Sequence, residues 1–217
     1  MSGGDAEGLR ERKKRRTRQA IVEVAHELFH EKGFEATTVE EIAAGAEVSE
    51  RTLFRYFTSK ESIAIAPLEE VGALTVAALR RRPADEPPLT ALRNAALGAW
   101  ELMSPDGNSL RHYADHLLPL GGTSALAGAV LSQLVAIGDR LAVELLDAPS
   151  ADADAGPRGA SSVRPVAVGE LDAQLAVVAF LAAIQVAIRA WCSSASTDLG
   201  DLVATVEFCL DRISLNP

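Results

Sequence analysis

Two helix-start signals lie eleven residues apart, and that interval limits what the chain can build there. Thr38-Val39-Glu40-Glu41 carries the hydroxyl and the carboxylate three residues on that make a capping box. Ser49 precedes a second helical stretch with Leu53, Phe54 and Phe57. Between them there is room for about two turns of helix and one tight turn. Upstream, Ile21, Val24, Ala25, Leu28 and Phe29 recur with the helical period, and Gly33 follows where a left-handed C-cap wants glycine. Residues 17–57 therefore outline a helix-turn-helix. Ala43 supplies the small residue where the two helices cross, and Val48 the apolar plug of the turn. Ser49-Glu50-Arg51-Thr52 supplies an outward, polar first turn for the second of them. An unspecialised helical hairpin shares this outline.

The rest of the chain also reads as helix. Ser59 caps a longer helix running to about Arg82, with a kink expected near Ala66 because Pro67 lacks an amide donor. Further helices are expected near 88–103, 109–118, 124–147, 166–194 and 198–214, with Pro- and Gly-rich breaks between them. No stretch alternates as a strand does, so the fold expected is all-α. The division expected is a flexible basic arm over 1–16, a DNA-binding domain over 17–62 and a second domain over 63–217. Residues 147–165, mostly Ala, Ser, Pro, Gly and Asp, read as a mobile loop inside that domain.

A net charge of −9 over 217 residues looks unfavourable for binding a polyanion until it is divided. Residues 1–60 hold 11 basic and 11 acidic side chains, and Arg10–Arg18 packs seven cations against Glu11 alone. That cluster suits either a solvated tail or, as its place before the first helix favours, an arm along the phosphate backbone or in the minor groove. The acidic excess lies wholly beyond residue 60, so the two ends of the chain suit different partners. Two cysteines, Cys192 and Cys209, make no disulfide framework and fit a reducing cytoplasm. The charge-free run Ala173–Ile188 falls short of a membrane span, and no apolar segment of the secretory type follows the basic N-terminal stretch. No membrane partner, metal or cofactor is expected. The pairs His26/His30 and His112/His116 have ligand spacing, but neither belongs to a zincin pattern, and no catalytic constellation is visible.

Gly33-Phe34, Thr37-Thr38-Val39-Glu40-Glu41-Ile42-Ala43, Val48-Ser49 and Thr52-Leu53-Phe54-Arg55-Tyr56-Phe57 followed by Ser59-Lys60 resemble the TetR family of bacterial one-component repressors. The resemblance covers about residues 15–65. It implies a DNA-binding head joined through the fourth helix to a variable helical domain that dimerises and binds a small effector. Carried over position by position, it places Thr38, Tyr56 and Lys60 at phosphates. It places Arg51 and Thr52 at base edges, with Ser49 and Arg55 in the same interface. Arg51 suits a bidentate guanine contact and the Thr52 methyl a thymine. Two positions depart from the family. Phe54 stands where Tyr is frequent, and Glu47 where Gly is usual; a left-handed backbone there costs Glu roughly 1 kcal/mol.

The helix expected near 166–194 is apolar nearly all round. Leu171, Leu175, Val178 and Ala182 line one side, and Val177, Phe180, Leu181, Ile184 and Ile188 the rest. Its own domain covers one side and a second copy the other, so a homodimer through the last two helices is expected. Leu199, Leu202, Val203, Val206, Leu210 and Ile213 form the stripe on the last. Residues suited to line an effector cavity are Trp100, Met103, His112, Tyr113, His116, Gln133 and Trp191. Ala183–Trp191 is similar to the C-terminal domain of mycofactocin-type regulators, which implies an apolar or acyl-bearing effector. A highly charged anion fits only if Arg111 or Arg189 turns inward. The leading expectation is a repressor that binds a double-stranded operator and is released by that effector. A regulator without an effector and a helical metal protein or enzyme are the alternatives.

Overall fold

The computed structural model describes residues 3–83, 85–104, 110–111, 113–114, 124–147, 168–194, 196 and 198–214. Nine helices form among them: α1 (Gly3–Lys32), α2 (Val39–Gly45), α3 (Glu50–Tyr56), α4 (Lys60–Ala64), α5 (Ala66–Leu79), α6 (Pro88–Met103), α7 (Ser124–Asp147), α8 (Val168–Ser193) and α9 (Leu199–Ser214). No strand occurs in the described residues, and the fold is all-α. The expected loop at 147–165 lies, beyond Asp147, outside the described residues. Of the helix expected near 109–118, Leu110, Arg111, Tyr113 and Ala114 are described, all helical.

The chain divides into two compact units, residues 1–67 with 115–130, and residues 68–114 with 131–217. The first unit reaches beyond the expected limit at 62 because Ile63, Ala64 and Ala66 are themselves buried. Its core is Ile21, Ala25, Phe29, Ile42, Leu53, Phe57 and Ile63. Gly33, at φ +86°, ends α1 and donates its amide to the Phe29 carbonyl at 3.0 Å. Helices α1 and α2 approach closely at Gly45, where a Cβ would lie 2.6 Å from Val24 Cγ1. Ala43, the small residue expected at the crossing, is buried beside it in α2. His26 is buried too, its ring meeting the edge of Phe29 at 5.5 Å. The kink expected near Ala66 takes the form of a break at Ile65 between α4 and α5.

One expectation is corrected. Where a flexible arm was read over 1–16, α1 begins at Gly3 and runs 30 residues without interruption. Residues 9–16 are Leu, Arg, Glu and Lys, all good helix formers, and they extend a helix already nucleated and packed further along.

In the second unit, four alanines of α6 (Ala91, Ala95, Ala96, Ala99) are buried, letting its neighbours come close. Leu92, Trp100, Ile137, Leu141, Val177, Phe180, Trp191, Leu202 and Val206 share one core. Gly72 of α5 admits Ile137 of α7, whose Cδ1 would stand 2.5 Å from an added Cβ. Charged ties join distant segments, Arg80 to Glu144 and Arg93 to Glu207, and a local one joins Arg82 to Glu86, which also accepts from Asn94. Arg111 closes the C-terminal end of α8. Its guanidinium donates to the carbonyls of Trp191 (3.0 Å), Cys192 (2.7 Å), Ser194 (3.0 Å) and Ser196, groups a helix end leaves without internal donors. Arg111 therefore serves α8, and Arg189 is exposed.

Among the described residues, two helical segments are by length and composition apolar enough to cross a bilayer, Ala125–Leu146 and Gly169–Ser193. The second exceeds the sixteen-residue run because α8 extends past the charges that bound that run. One side of α8 (Val177, Phe180, Ala183, Ala187, Trp191) lies in the unit's own core. The opposite side leaves Leu171, Leu175, Val178 and Val186 between 48% and 66% exposed, and Ala182 is exposed with them. On α9, Leu202, Val206 and Leu210 turn inward, while Phe208 is 60% exposed.

Candidate nucleic-acid interface

The turn between α2 and α3 contains Glu47, at φ +55°, so the left-handed backbone considered there is present on a residue with a Cβ. The Val48 amide then returns to the Ala43 carbonyl at 2.9 Å, and Val48 is half-buried as a plug. Ser49 caps α3. Its Oγ accepts from the Thr52 amide at 3.2 Å and lies 3.0 Å from Thr52 Oγ1. Leu53 and Phe57 anchor α3 in the core, and this orientation leaves Glu50, Arg51, Phe54 and Arg55 exposed. Arg51 therefore stands free on the outer face, with Thr52 half-buried beside it. The Arg55 guanidinium lies over the Tyr56 ring at 5.2 Å.

Thr38 sits at the N-terminus of α2, but its amide is taken. It donates to Glu41 Oε2 at 2.9 Å, while Thr38 Oγ1 accepts from the Glu41 amide at 3.3 Å. The hydroxyl proton is what Thr38 has left to offer a phosphate. Lys32 pairs with the same Glu41 carboxylate. That ammonium, helped by the Thr38 amide, holds the Glu41 carboxyl below the usual carboxylate range.

Lys60 is turned toward the α1–α2 loop. Its Nζ donates to the carbonyls of Phe34 (2.6 Å), Thr37 (2.8 Å) and Glu35 (3.4 Å), and sits 4.3 Å from the Phe34 ring centroid. All three ammonium protons are thus directed at the α1–α2 loop.

A cleft of about 620 Å³ opens between the N-terminal part of α1 and the α2–α3 region. Arg10, Lys13, Lys14, Arg16 and Thr17 form one wall; Glu47, Thr52, Arg55 and Tyr56 stand on the other. Five cations thus face one carboxylate. Among the described residues, the ion pairs involve none of these cations. Sequence reading treated the cluster as loose and so missed the cleft. The signal was present: Arg10, Lys13, Lys14 and Thr17 follow the i, i+3, i+4, i+7 rhythm and continue the phase of Ile21, Val24, Ala25 and Leu28.

The described residues read as an effector lining belong to the second unit. Trp100 and Trp191 are 4% and 2% exposed and share one core, and Trp191 Nε1 donates to the Asp198 carbonyl at 3.1 Å. Met103, Tyr113 and Gln133 are half-buried. His112 and His116 lie outside the described residues. No cluster of three or more metal-ligating side chains occurs among the described ones.

Residues 21–66 match the model for bacterial regulatory proteins of the tetR family. The transcriptional regulator TcmR of Streptomyces glaucescens is 37% identical over 212 residues, which cover 95% of this chain and 86% of TcmR. The chain belongs to the TetR family. It is a helix-turn-helix, DNA-binding transcriptional regulator, and the similarity to TcmR extends through the second unit as well as the first. The fold agrees with solved TetR-family structures. The Thermus thermophilus repressor FadR, in complex with lauroyl-CoA, superposes with a TM-score of 0.54 at 22% identity over 91% of this chain and 93% of FadR. Bacillus subtilis FadR, in complex with stearoyl-CoA, gives 0.55 at 18% identity over 89% and 95%.

Proposed function

We propose that this TetR-family regulator is a cytoplasmic repressor that binds a palindromic operator as a homodimer and is released by a small apolar or acyl-bearing molecule. The observation that carries the reading is the outer face of α3. There Arg51 is exposed and unpaired among the described residues, on a helix locked by Ser49, Leu53 and Phe57. A guanidinium projecting from an anchored helix suits bidentate contact with guanine in the major groove. The Thr52 methyl, Arg55, Tyr56 and the Thr38 hydroxyl complete the contact set, and Ser49 orients Thr52. Lys60 acts by holding the loop that presents Thr38.

The exposed apolar stripe of α8, with Phe208 of α9, supports dimerisation. A second copy covers it and places two recognition helices on one duplex, so operator symmetry mirrors protein symmetry. The effector reading is supported by the acyl-CoA complexes of the two FadR proteins and by the apolar make-up of the second unit. Trp100, Met103, Tyr113, Gln133 and Trp191, with His112 and His116, are the proposed lining. The close packing of both tryptophans favours a second reading, a regulator controlled without an effector. The test is selection of duplexes from a random library, followed by titration of Arg51→Ala. A loss of about 1–3 kcal/mol on the selected sequence, with little change on random DNA, supports base readout. Undiminished preference removes Arg51 from it.

A further inference from the structure

We propose that the cleft between α1 and the α2–α3 region seats one phosphate strand of duplex DNA, with α1 serving as a fixed rail beside the recognition helix. This rests on the operator-binding reading and adds a second, rigid contact surface to it. Three observations carry it.

The first is phase. Arg10, Lys13, Lys14 and Thr17 lie on the face of α1 that, further along, packs against the rest of the first unit. Because α1 is one unbroken helix, that face stays aligned as it passes beyond the core. The cations are therefore held over the recognition helix by the same packing that holds the core.

The second is charge. Five cations and one carboxylate line the cleft in a protein whose net charge is −9. Along α1, Arg10/Lys14, Arg12/Arg16 and Lys14/Arg18 are like-charge pairs at i,i+4, each working against the helix that displays it. An anionic strand laid along this face relieves that repulsion.

The third is shape and chemistry. Arg10 to Thr17 spans about 10 Å of helix, the axial length of roughly three phosphates of one strand. Lysine ammonium groups and the Thr17 and Tyr56 hydroxyls suit non-bridging phosphate oxygens, and Ala20, Ala46 and Val48 give the cleft an apolar floor. The α1 wall of this lining, Arg10 to Thr17, offers charge and a hydroxyl to phosphates, while base contact is left to α3.

The test uses the full chain and two variants. The first, Arg10→Gln/Lys13→Gln/Lys14→Gln, removes charge. The second inserts one alanine between Arg16 and Thr17, which keeps every cation and the helix but rotates the rail by about 100° out of the cleft. Affinity for the selected duplex and for a random-sequence duplex is measured against salt concentration. The charge-removal variant should lower the slope of log K against log salt by up to about 3 per subunit. The insertion should lower it comparably. An unchanged slope in the charge-removal variant overturns the seat. An insertion variant with the wild-type slope overturns the rail, since a loose arm would tolerate rotation. Failure of the operator reading looks different: wild-type protein would then bind both duplexes alike, while the slopes on random DNA still decide the cleft. Unchanged melting of the insertion variant shows that the core has not been disturbed.

Discussion

Replacing Lys60 separates two ways in which a cation beside the recognition helix can matter. Its Nζ makes two short hydrogen bonds, to the Phe34 and Thr37 carbonyls, and a longer one to Glu35. Charge-assisted bonds contribute about 1.5–3 kcal/mol each when well formed. These are partly reached by water, which can replace the donor, so their combined loss in Lys60→Met is about 2 kcal/mol. The contact with the Phe34 ring adds roughly 0.5 kcal/mol. In a 217-residue chain that unfolds as one, this lowers Tm by about 4–10 °C. Lys60→Arg sharpens the test, because it keeps the charge but a planar guanidinium cannot converge on three carbonyls as an ammonium does. Both variants should melt early, and both should lose DNA affinity through a loosened α1–α2 loop. The assay is thermal or urea unfolding alongside a salt titration of DNA binding. Unchanged stability in Lys60→Met, with DNA affinity lost and restored by Lys60→Arg, would refute the reasoning and return Lys60 to the phosphates.

Glu47→Gly should raise stability by a few tenths of a kcal/mol, since relief of about 1 kcal/mol at a left-handed residue is partly offset by the freer unfolded chain; urea midpoints check it. The Glu41 carboxyl is held below the usual carboxylate range, so its contribution is present above that range and is lost as pH falls through the lower folded value. Glu144 and Glu86 act in the same direction, through Arg80 and Arg82. Glu41→Gln should therefore flatten the acid limb of a stability–pH profile, and an identical limb counts against the pairing. Ala182→Arg, in the exposed stripe of α8, should give monomers or aggregates in sedimentation; an intact soluble dimer would mean another face pairs.

What was legible in the sequence was whatever depends on local chemistry. The capping box at Thr38, the cap at Ser49, the glycine end at Gly33 and the break before Pro67 are short-range devices, and each reappears at its expected place. The outward side of α8 was legible because a helix apolar all round needs two covers. The inward turn of Leu202, Val206 and Leu210 was not, since periodicity locates a stripe without naming what it faces. Lys60 looked available because its partners are carbonyls 23 to 26 residues away, which no side-chain pattern betrays. The helical state of residues 3–16 was missed because charge density was weighed above propensity. Arg111 was weighed as a ligand-facing charge, while its partners lie 80 to 85 residues downstream.

Those long reaches set the order in which the molecule can assemble. The core of α1–α4 draws on residues within one stretch of about fifty, so it can close while most of the chain is still being synthesised. The second unit cannot. Arg93 waits for Glu207, 114 residues later, and Arg111 for carbonyls that emerge after Trp191. A nascent chain thus carries the α1–α4 core before α8 and α9 exist. A premature stop shortly after α7 would leave α1–α7 in place but deprive the second unit of α8 and α9, and with them of the Arg93 and Arg111 ties.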